Sequence, residues 1–261
     1  MFNWVKVLDE TFLGTIDREL AAAGSPVKIE WTKAYGGTVA KLGAESDALK
    51  TSVSDAGLVS QIFEAAKFPL QQVTLQVPFG SPDIATVSGI VEKLNGKFSE
   101  MNDAWAKNNM MVLGTVAIDG YQLVTNFPVN SAADLAGKKI FVPGPIANWL
   151  QGTGAVAVAG NLNTYYNGIQ TGVAQGAIVS MSPVWSAKLH EVAPHITLCN
   201  LVAQYTGSLA FNLRSFRKLP PVAQEAVRKA GRAYDAEFAR TQTALAEDAV
   251  KNLRGAGATV T

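Results

Sequence analysis

A two-lobed α/β architecture is what this sequence predicts, on three observations. Strand-like and helix-like stretches alternate from Lys138 to Leu198, the signature of crossover units on a largely parallel sheet. The chain has 261 residues, more than most single domains, so two lobes or one large α/β domain fit its size. Finally, Pro220-Pro221 opens a helical pattern that continues to Leu253. At 1.5 Å per residue it spans roughly 50 Å, too long for one small lobe.

The elements follow in order. Asp9 to Ala23 reads as a helix, with Phe12, Leu13, Ile16 and Leu20 at helical spacing and Gly24 as its stop. In VKIEW, Val27, Ile29 and Trp31 alternate as in a strand, which Tyr35-Gly36-Gly37 breaks. A helix through Leu49 leads to AGLVSQIF, and Phe68-Pro69-Leu70 and Pro78-Phe79-Gly80 punctuate loops. After a helix over Ile84 to Leu94, MMVLGTVAIDGYQLVT reads as two apolar strands joined by a hairpin-type turn at Asp119-Gly120. SAADLAG is a short helix capped by Ser131, with Asp134 three residues on and Gly137 as stop. From Lys138 the order is strand KKIFV, a loop and helix around Trp149, strand GAVAVAG, a helix from Asn161 to Gln170, strand GAIVSMS, a helix from Val184 to Val192, and strand HITLCNLV. SLAFNL adds one more strand before the long helix.

Charge and cysteine content narrow the class. The 22 basic and 21 acidic side chains nearly cancel, and no run of five like charges occurs, so nothing points to nucleic acid or an anionic membrane surface. Cys199 is the sole cysteine, which rules out an intramolecular disulfide; without partner spacing for a metal it is expected in the core. The opening MFNWVKVLDE has neither a basic n-region nor a long apolar stretch, and the apolar segment around Met110 to Ile118 is shorter than the ~20 residues of a spanning helix. An export signal, if the protein has one, is expected to be removed or to lie outside this chain.

Catalysis leaves little trace. His190 and His195 fall near a helix end and a strand start, and Asp47, Asp55 and Glu64 read as solvated carboxylates. There is no HExxH, GxSxG or GxxxxGK[ST] motif, and Gly152-Thr153-Gly154 lacks the rest of a dinucleotide fingerprint. With no nucleophile, base or metal set in view, no cofactor is expected. Binding leaves more. Trp31, Tyr35, Phe79, Tyr121, Phe141, Trp149, Tyr165 and Trp185 fall mostly at strand ends or in adjoining loops, where crevices open in α/β sheets. With Gln122, Asn148, Ser180 and Asn212 they supply apolar walls and a few polar anchors. Trp4 and Trp105 read as core.

Five blocks in order, WTKAYGGTVAKLGAESDALKTSVSDAGLV, FPLQQVTLQVPFG, DLAGKKIFVPGP, NLNTYYNGIQTGVAQGAIVSMSPVWSAKLHEVAPHITL and AFNLRSFRKLPPVAQEAVRKA, resemble the dicarboxylate-binding type of solute-binding subunit in tripartite ATP-independent periplasmic (TRAP) transporters. The resemblance covers nearly the whole chain. It implies a two-lobed periplasmic-binding-protein-like fold with hinge strands and a long spine helix. Lobe I would comprise residues 1–113 plus about 206–225, and lobe II residues 114–205 plus about 226–261. It further implies a monomeric periplasmic receptor that closes on a small organic acid and delivers it to sodium-driven membrane permease subunits, with no nucleic acid as partner. Against the family the chain looks short at both ends.

One departure bears on the ligand. Where many relatives carry an arginine that pairs with the ligand carboxylate, this chain has Phe141, and a second family cation appears as Gln122. Beyond AQG, where Gln175 replaces the acid of the family's DG pair, Val179 is apolar before Ser180. Either another cation (Lys33, Lys67 or Arg214) or backbone amides of the Gly144 loop near Asn148 hold the acid, or the ligand presents a neutral or aromatic surface to Phe141 and Trp149. The expected site is Tyr35, Phe79, Gln122, Phe141, Asn148, Trp149, Ser180, Trp185 and Asn212, and the expected ligand a small organic acid, an aromatic or other monocarboxylate. An ABC-type receptor and an enzyme on a similar two-lobed frame are the alternatives.

Overall fold

The computed structural model describes residues 3–199, 201 and 204–261. The chain divides into two compact α/β units. Unit 1 is Met1–Val73, Ala85–Ala117 and Tyr205–Thr241; unit 2 is Thr74–Ile84, Ile118–Gln204 and Gln242–Thr261. The last passage, between Thr241 and Gln242, falls inside one unbroken helix, and no glycine or proline marks it in the sequence. The expected boundary near 225 has no such mark either.

Unit 1 opens with α1 (Asn3–Val7), a π turn (Leu8–Phe12) and α2 (Leu13–Ala22), so the helical run begins earlier than its periodicity predicts. Phe12, Ile16 and Leu20 form its buried stripe. Val27, Ile29 and Trp31 do alternate in burial with Lys28 and Glu30, yet VKIEW is not a strand. A period-2 pattern needs a neighbour to complete its ladder; here Trp31 meets Phe12 edge-on at 6.3 Å. After α3 (Glu45–Lys50) and β1 (Ala56–Val59) come α4 (Ile84–Lys97) and α5 (Ser99–Lys107). No helix is expected from the sequence where α5 forms, although Met101 and Trp105 stand four apart and are both buried.

β2 (Met110–Ile118) and β8 (Gln204–Asn212) complete a three-stranded sheet in the order β1-β8-β2. Phe68 and Trp105, with ring centroids 4.3 Å apart, centre a cluster with Leu49, Val59, Met110 and Ala210. α8 (Leu213–Lys218) leads to α9 (Pro221–Gly255), the long helix the sequence predicts. Among the described residues no helix is long and apolar enough to cross a membrane.

Unit 2 carries β3 (Tyr121–Thr125), β4 (Lys139–Val142), β5 (Val156–Ala159), α6 (Leu162–Gln170), β6 (Gly176–Ser180), α7 (Met181–Ser186), β7 (His195–Thr197) and β9 (Thr259–Val260). Their sheet runs β5-β4-β6-β3-β7-β9. β4 is parallel to β5 and β6, β7 is parallel to β9, and β3 alone is antiparallel to both its neighbours, so the sheet is largely parallel as expected. Asp119-Gly120 does not close a hairpin, because β2 and β3 belong to different sheets. The Asp119 carboxylate is instead drawn inside by three donors. Gly120 has to be glycine, since a Cβ there would stand 2.4 Å from the Leu201 carbonyl oxygen.

Caps follow the sequence closely. Ser131 and Asp134 form a capping box, and the Asn161 side chain accepts the Asn163 amide to start α6. The helix expected over Val184 to Val192 is split, because Lys188 adopts φ 56 between α7 and a short 3-10 turn at Leu189–Glu191. Of the strand expected over HITLCNLV, His195–Thr197 is formed, while residues 200 and 202 lie outside the described residues.

Candidate functional site

Seven of the nine candidate residues belong to unit 2, and the register of β3 on β6 sorts them. Tyr121 stands opposite Ser180 and Gln122 opposite Val179, and side chains on paired residues share a face. On the first face lie Tyr121 and Ser180. Trp149, in the 3-10 segment Gly144–Leu150, meets the Tyr121 ring edge-on at 6.1 Å and donates its indole N–H to the Leu75 carbonyl at 2.8 Å. Four residues beyond Leu75, Phe79 is 72% exposed and sits at φ 63, a left-handed conformation that bulky residues rarely adopt. Asn148, beside Trp149, is exposed.

The second face carries Gln122 and Phe141. Phe141 pairs with Ala177, which shares its side of β6 with Val179. Its ring stacks on Tyr165 at 5.3 Å and is lodged between two glycines of the α6 region. A Cβ at Gly168 would lie 2.4 Å from the ring and one at Gly160 2.8 Å. The side chain is a core group at 4% exposure. Gln122, also buried, turns its amide back to the Gly120 carbonyl at 3.3 Å. Trp185, on α7, stacks on His190 at 5.0 Å and stays partly exposed.

Two candidates lie in unit 1 and are engaged there. Tyr35 donates its hydroxyl to Asp9 at 2.8 Å, and burial together with that carboxylate pushes the phenol well above its usual range. Asn212 is fully buried: its side-chain oxygen accepts the Ser215 amide to cap α8, and its amide group donates to the Leu49 carbonyl and to Ser52.

The alternative cations are mostly committed. Lys33 pairs with Asp9 at 2.6 Å. Lys67 meets Asp47 at 2.7 Å, Glu64 at 2.8 Å and the Ser46 hydroxyl at 3.0 Å. Glu64 is therefore a buried, paired carboxylate rather than the solvated group expected. Arg214 is exposed. Cys199 is half-buried, and its thiol reaches the Thr197 carbonyl at 3.3 Å. Among the described residues no group of three or more His, Cys, Asp or Glu side chains could hold a metal.

Sequence reasoning missed Asp119. Its carboxylate, 7% exposed, accepts the Met181 amide at 2.6 Å, the Gln242 side-chain amide at 2.9 Å and the Ser182 hydroxyl at 3.1 Å. Burial raises its pKa, and these bonds oppose the rise. An Asp-Gly pair carries the sequence signal of a turn whether or not its carboxyl is buried.

Comparison with known proteins places this geometry. The family model for DctP, bacterial extracellular solute-binding protein family 7, matches residues 24–261. A TRAP periplasmic solute-binding protein of Chromohalobacter salexigens with bound D-glucuronate aligns with a TM-score of 0.85 at 18% identity, covering 99% of this chain and 84% of that one. An extracytoplasmic solute receptor of Bordetella pertussis that binds pyroglutamic acid aligns at 0.84 and 18% identity, covering 99% and 82%. A marine metagenome TRAP solute-binding protein specific for pyroglutamate aligns at 0.82 and 22% identity, covering 96% and 79%. No curated protein sequence matches. These structures share the fold, and the family match spans nearly the whole chain: it belongs to the DctP family, bacterial extracellular solute-binding protein family 7, and is a solute-binding protein rather than an enzyme.

Proposed function

We propose that this chain is the periplasmic receptor of a TRAP transporter, that it binds a cyclic monocarboxylate, and that it hands this ligand to membrane permease subunits. The observation that carries the receptor role is the family match over residues 24–261. Support for the ligand class comes from chemistry on both sides. Glucuronate and pyroglutamate, bound by proteins of the same fold, are each one carboxylate on a ring. In this chain Arg254 is the only arginine of unit 2, which favours neutral donors for the acid over a bidentate guanidinium fork. Trp149, partly exposed, offers aromatic surface for the ring, and Tyr121 and Ser180, buried at 6% and 2% exposure on the face it packs against, back it. The Phe141 ring is occupied by Tyr165 and the α6 glycines, so the wall role expected of it passes to Trp149.

A thermal-shift panel of D-glucuronate, D-galacturonate, pyroglutamate, aromatic monocarboxylates, aliphatic dicarboxylates and neutral sugars tests this. A ligand at 100 times its Kd stabilises the native state by about 2.7 kcal/mol, a readily measured shift. Shifts confined to ring monocarboxylates are expected. Shifts confined to dicarboxylates or to neutral sugars overturn the ligand class, and the absence of any shift overturns the receptor reading for these acids.

A further inference from the structure

We propose that Asp119 is a positioning residue of the candidate site: its carboxylate fastens the β6–α7 turn, and with it Ser180, onto helix α9. The proposal rests on the reading of the Tyr121, Trp149 and Ser180 face as ligand-binding.

The geometry is specific. One carboxylate oxygen, Oδ2, accepts the Met181 amide at 2.6 Å; the other, Oδ1, accepts the Gln242 side-chain amide at 2.9 Å and the Ser182 hydroxyl at 3.1 Å. The Gln242 amide also lies 2.6 Å from the Ser182 oxygen, which closes a triangle. These partners are all neutral donors, and Gln242 is itself buried. A deprotonated carboxylate is the side chain that presents acceptors alone and can take three donors at once. Burying one without a cation is costly, so a purely space-filling role would be served better by an apolar residue.

Its place in the chain gives the knot a task. The Met181 amide belongs to the peptide that follows Ser180, so holding it fixes the backbone that presents the Ser180 hydroxyl beside Tyr121. Tyr121 follows Gly120 directly and feels the Asp119 charge, which adds to burial in raising its phenol. Asp119 and Gln242 each stand within two residues of a point where the chain enters unit 2, and the Leu201 carbonyl against Gly120 precedes by a few residues the point where it leaves.

The test compares Asp119→Ala and Asp119→Asn with the wild type by amide hydrogen exchange on the ligand-free protein. The alanine variant leaves the buried Met181 amide without its acceptor and removes the carboxylate that the Ser182 hydroxyl and the Gln242 amide share, and about tenfold or faster exchange at Met181 is expected, with the Leu209 amide of β8 as an internal reference. Asparagine should restore much of the protection, because its oxygen can accept the Met181 amide while its nitrogen donates to Ser182 and the Gln242 amide turns over. Equal acceleration at Met181 and Leu209, or no change at Met181, overturns the proposal. If the alanine variant does not fold, Gln242→Ala and Ser182→Ala must each accelerate Met181 selectively; unchanged exchange in both is equally fatal. A second arm measures D-glucuronate and pyroglutamate affinity: in Asp119→Ala it should fall about tenfold and recover in Asp119→Asn, and unchanged affinity overturns the positioning role. A wild type that binds neither acid counts against the proposed ligand class, and the exchange arm then decides the positioning role alone.

Discussion

Gly231 of α9 lies against Leu113 of β2 so closely that a Cβ at the glycine would stand 2.2 Å from the Leu113 carbonyl oxygen. Gly114 answers it from the strand, where a Cβ would fall 2.9 Å from both Tyr234 and Asp235. Small residues on each side bring helix and strand backbones together, and an added methyl at Gly231 would meet rigid backbone. Gly231→Ala should therefore destabilise the protein by about 3 kcal/mol or more, at or beyond the upper end of overpacking costs. Gly89, in the middle of α4, has nothing within 4 Å of its Cβ position, so Gly89→Ala should stabilise by about 0.5–1 kcal/mol. Urea denaturation of the two variants checks the opposite signs.

Asp235 makes a pH-dependent contribution in the same place. Burial lifts its pKa to about 7, the Thr115 amide opposes the rise, and Glu92 adds to it. A carboxyl whose folded pKa lies above its unfolded value favours folding while it is protonated. That contribution is complete below about pH 4 and is lost as pH rises through about 7. Asp235→Asn keeps an oxygen for the Thr115 amide and removes the titration. The variant should gain stability over the wild type by a few kcal/mol at pH 8, since each tenfold change in proton affinity is worth about 1.4 kcal/mol, and the gain should shrink towards pH 4. Thermal melts across pH 4 to 8 decide it.

Trp149 serves two partners, and two substitutions separate them. Trp149→Phe retains an aromatic face towards Tyr121 and loses the N–H to the Leu75 carbonyl, so exchange in residues 74–79 should quicken while ring-acid affinity falls only modestly. Trp149→Ala removes both, and affinity should fall by about 2 kcal/mol, roughly thirtyfold, if the indole is a buried anchor. Isothermal titration with the acid found in the thermal-shift panel measures both, and equal affinity in all three proteins takes Trp149 out of the site.

What the sequence makes legible is local chemistry. Ser131, Asn161 and the Pro220-Pro221 start of α9 act within a few residues of themselves, and each stands in the structure where its neighbours in the chain predict. The parallel strands β4, β5 and β6 are equally plain, because short apolar runs alternate there with helical ones, even though β5 is mostly exposed. The failures all depend on distant partners. VKIEW has the alternation of a strand and no ladder, Asp119-Gly120 has the composition of a hairpin turn and joins two sheets, and Glu64, which has Lys67 three residues on, is bonded inside by Ser46, eighteen residues away. For the candidate site, alternation puts Tyr121 and Gln122 on opposite faces of β3, and Val179 and Ser180 on opposite faces of β6, but which of them share a face depends on the pairing. The register that relates the two strands is not written in either one.

Phe141 supplies the last test, because it distinguishes a core ring from a ligand wall. Its edges lie where Cβ atoms at Gly168 and Gly160 would be, and its face stacks on Tyr165. Gly168→Ala should cost about 1–3 kcal/mol by overpacking, and Phe141→Ala about 3–5 kcal/mol by leaving a cavity. The two changes are not independent: an alanine methyl at 168 partly fills the space that the missing ring vacates. The double variant should therefore be more stable than the sum of the single losses predicts, by about 1 kcal/mol or more, as neighbours that share a cavity do. Additive losses would mean that the ring does not rest on Gly168.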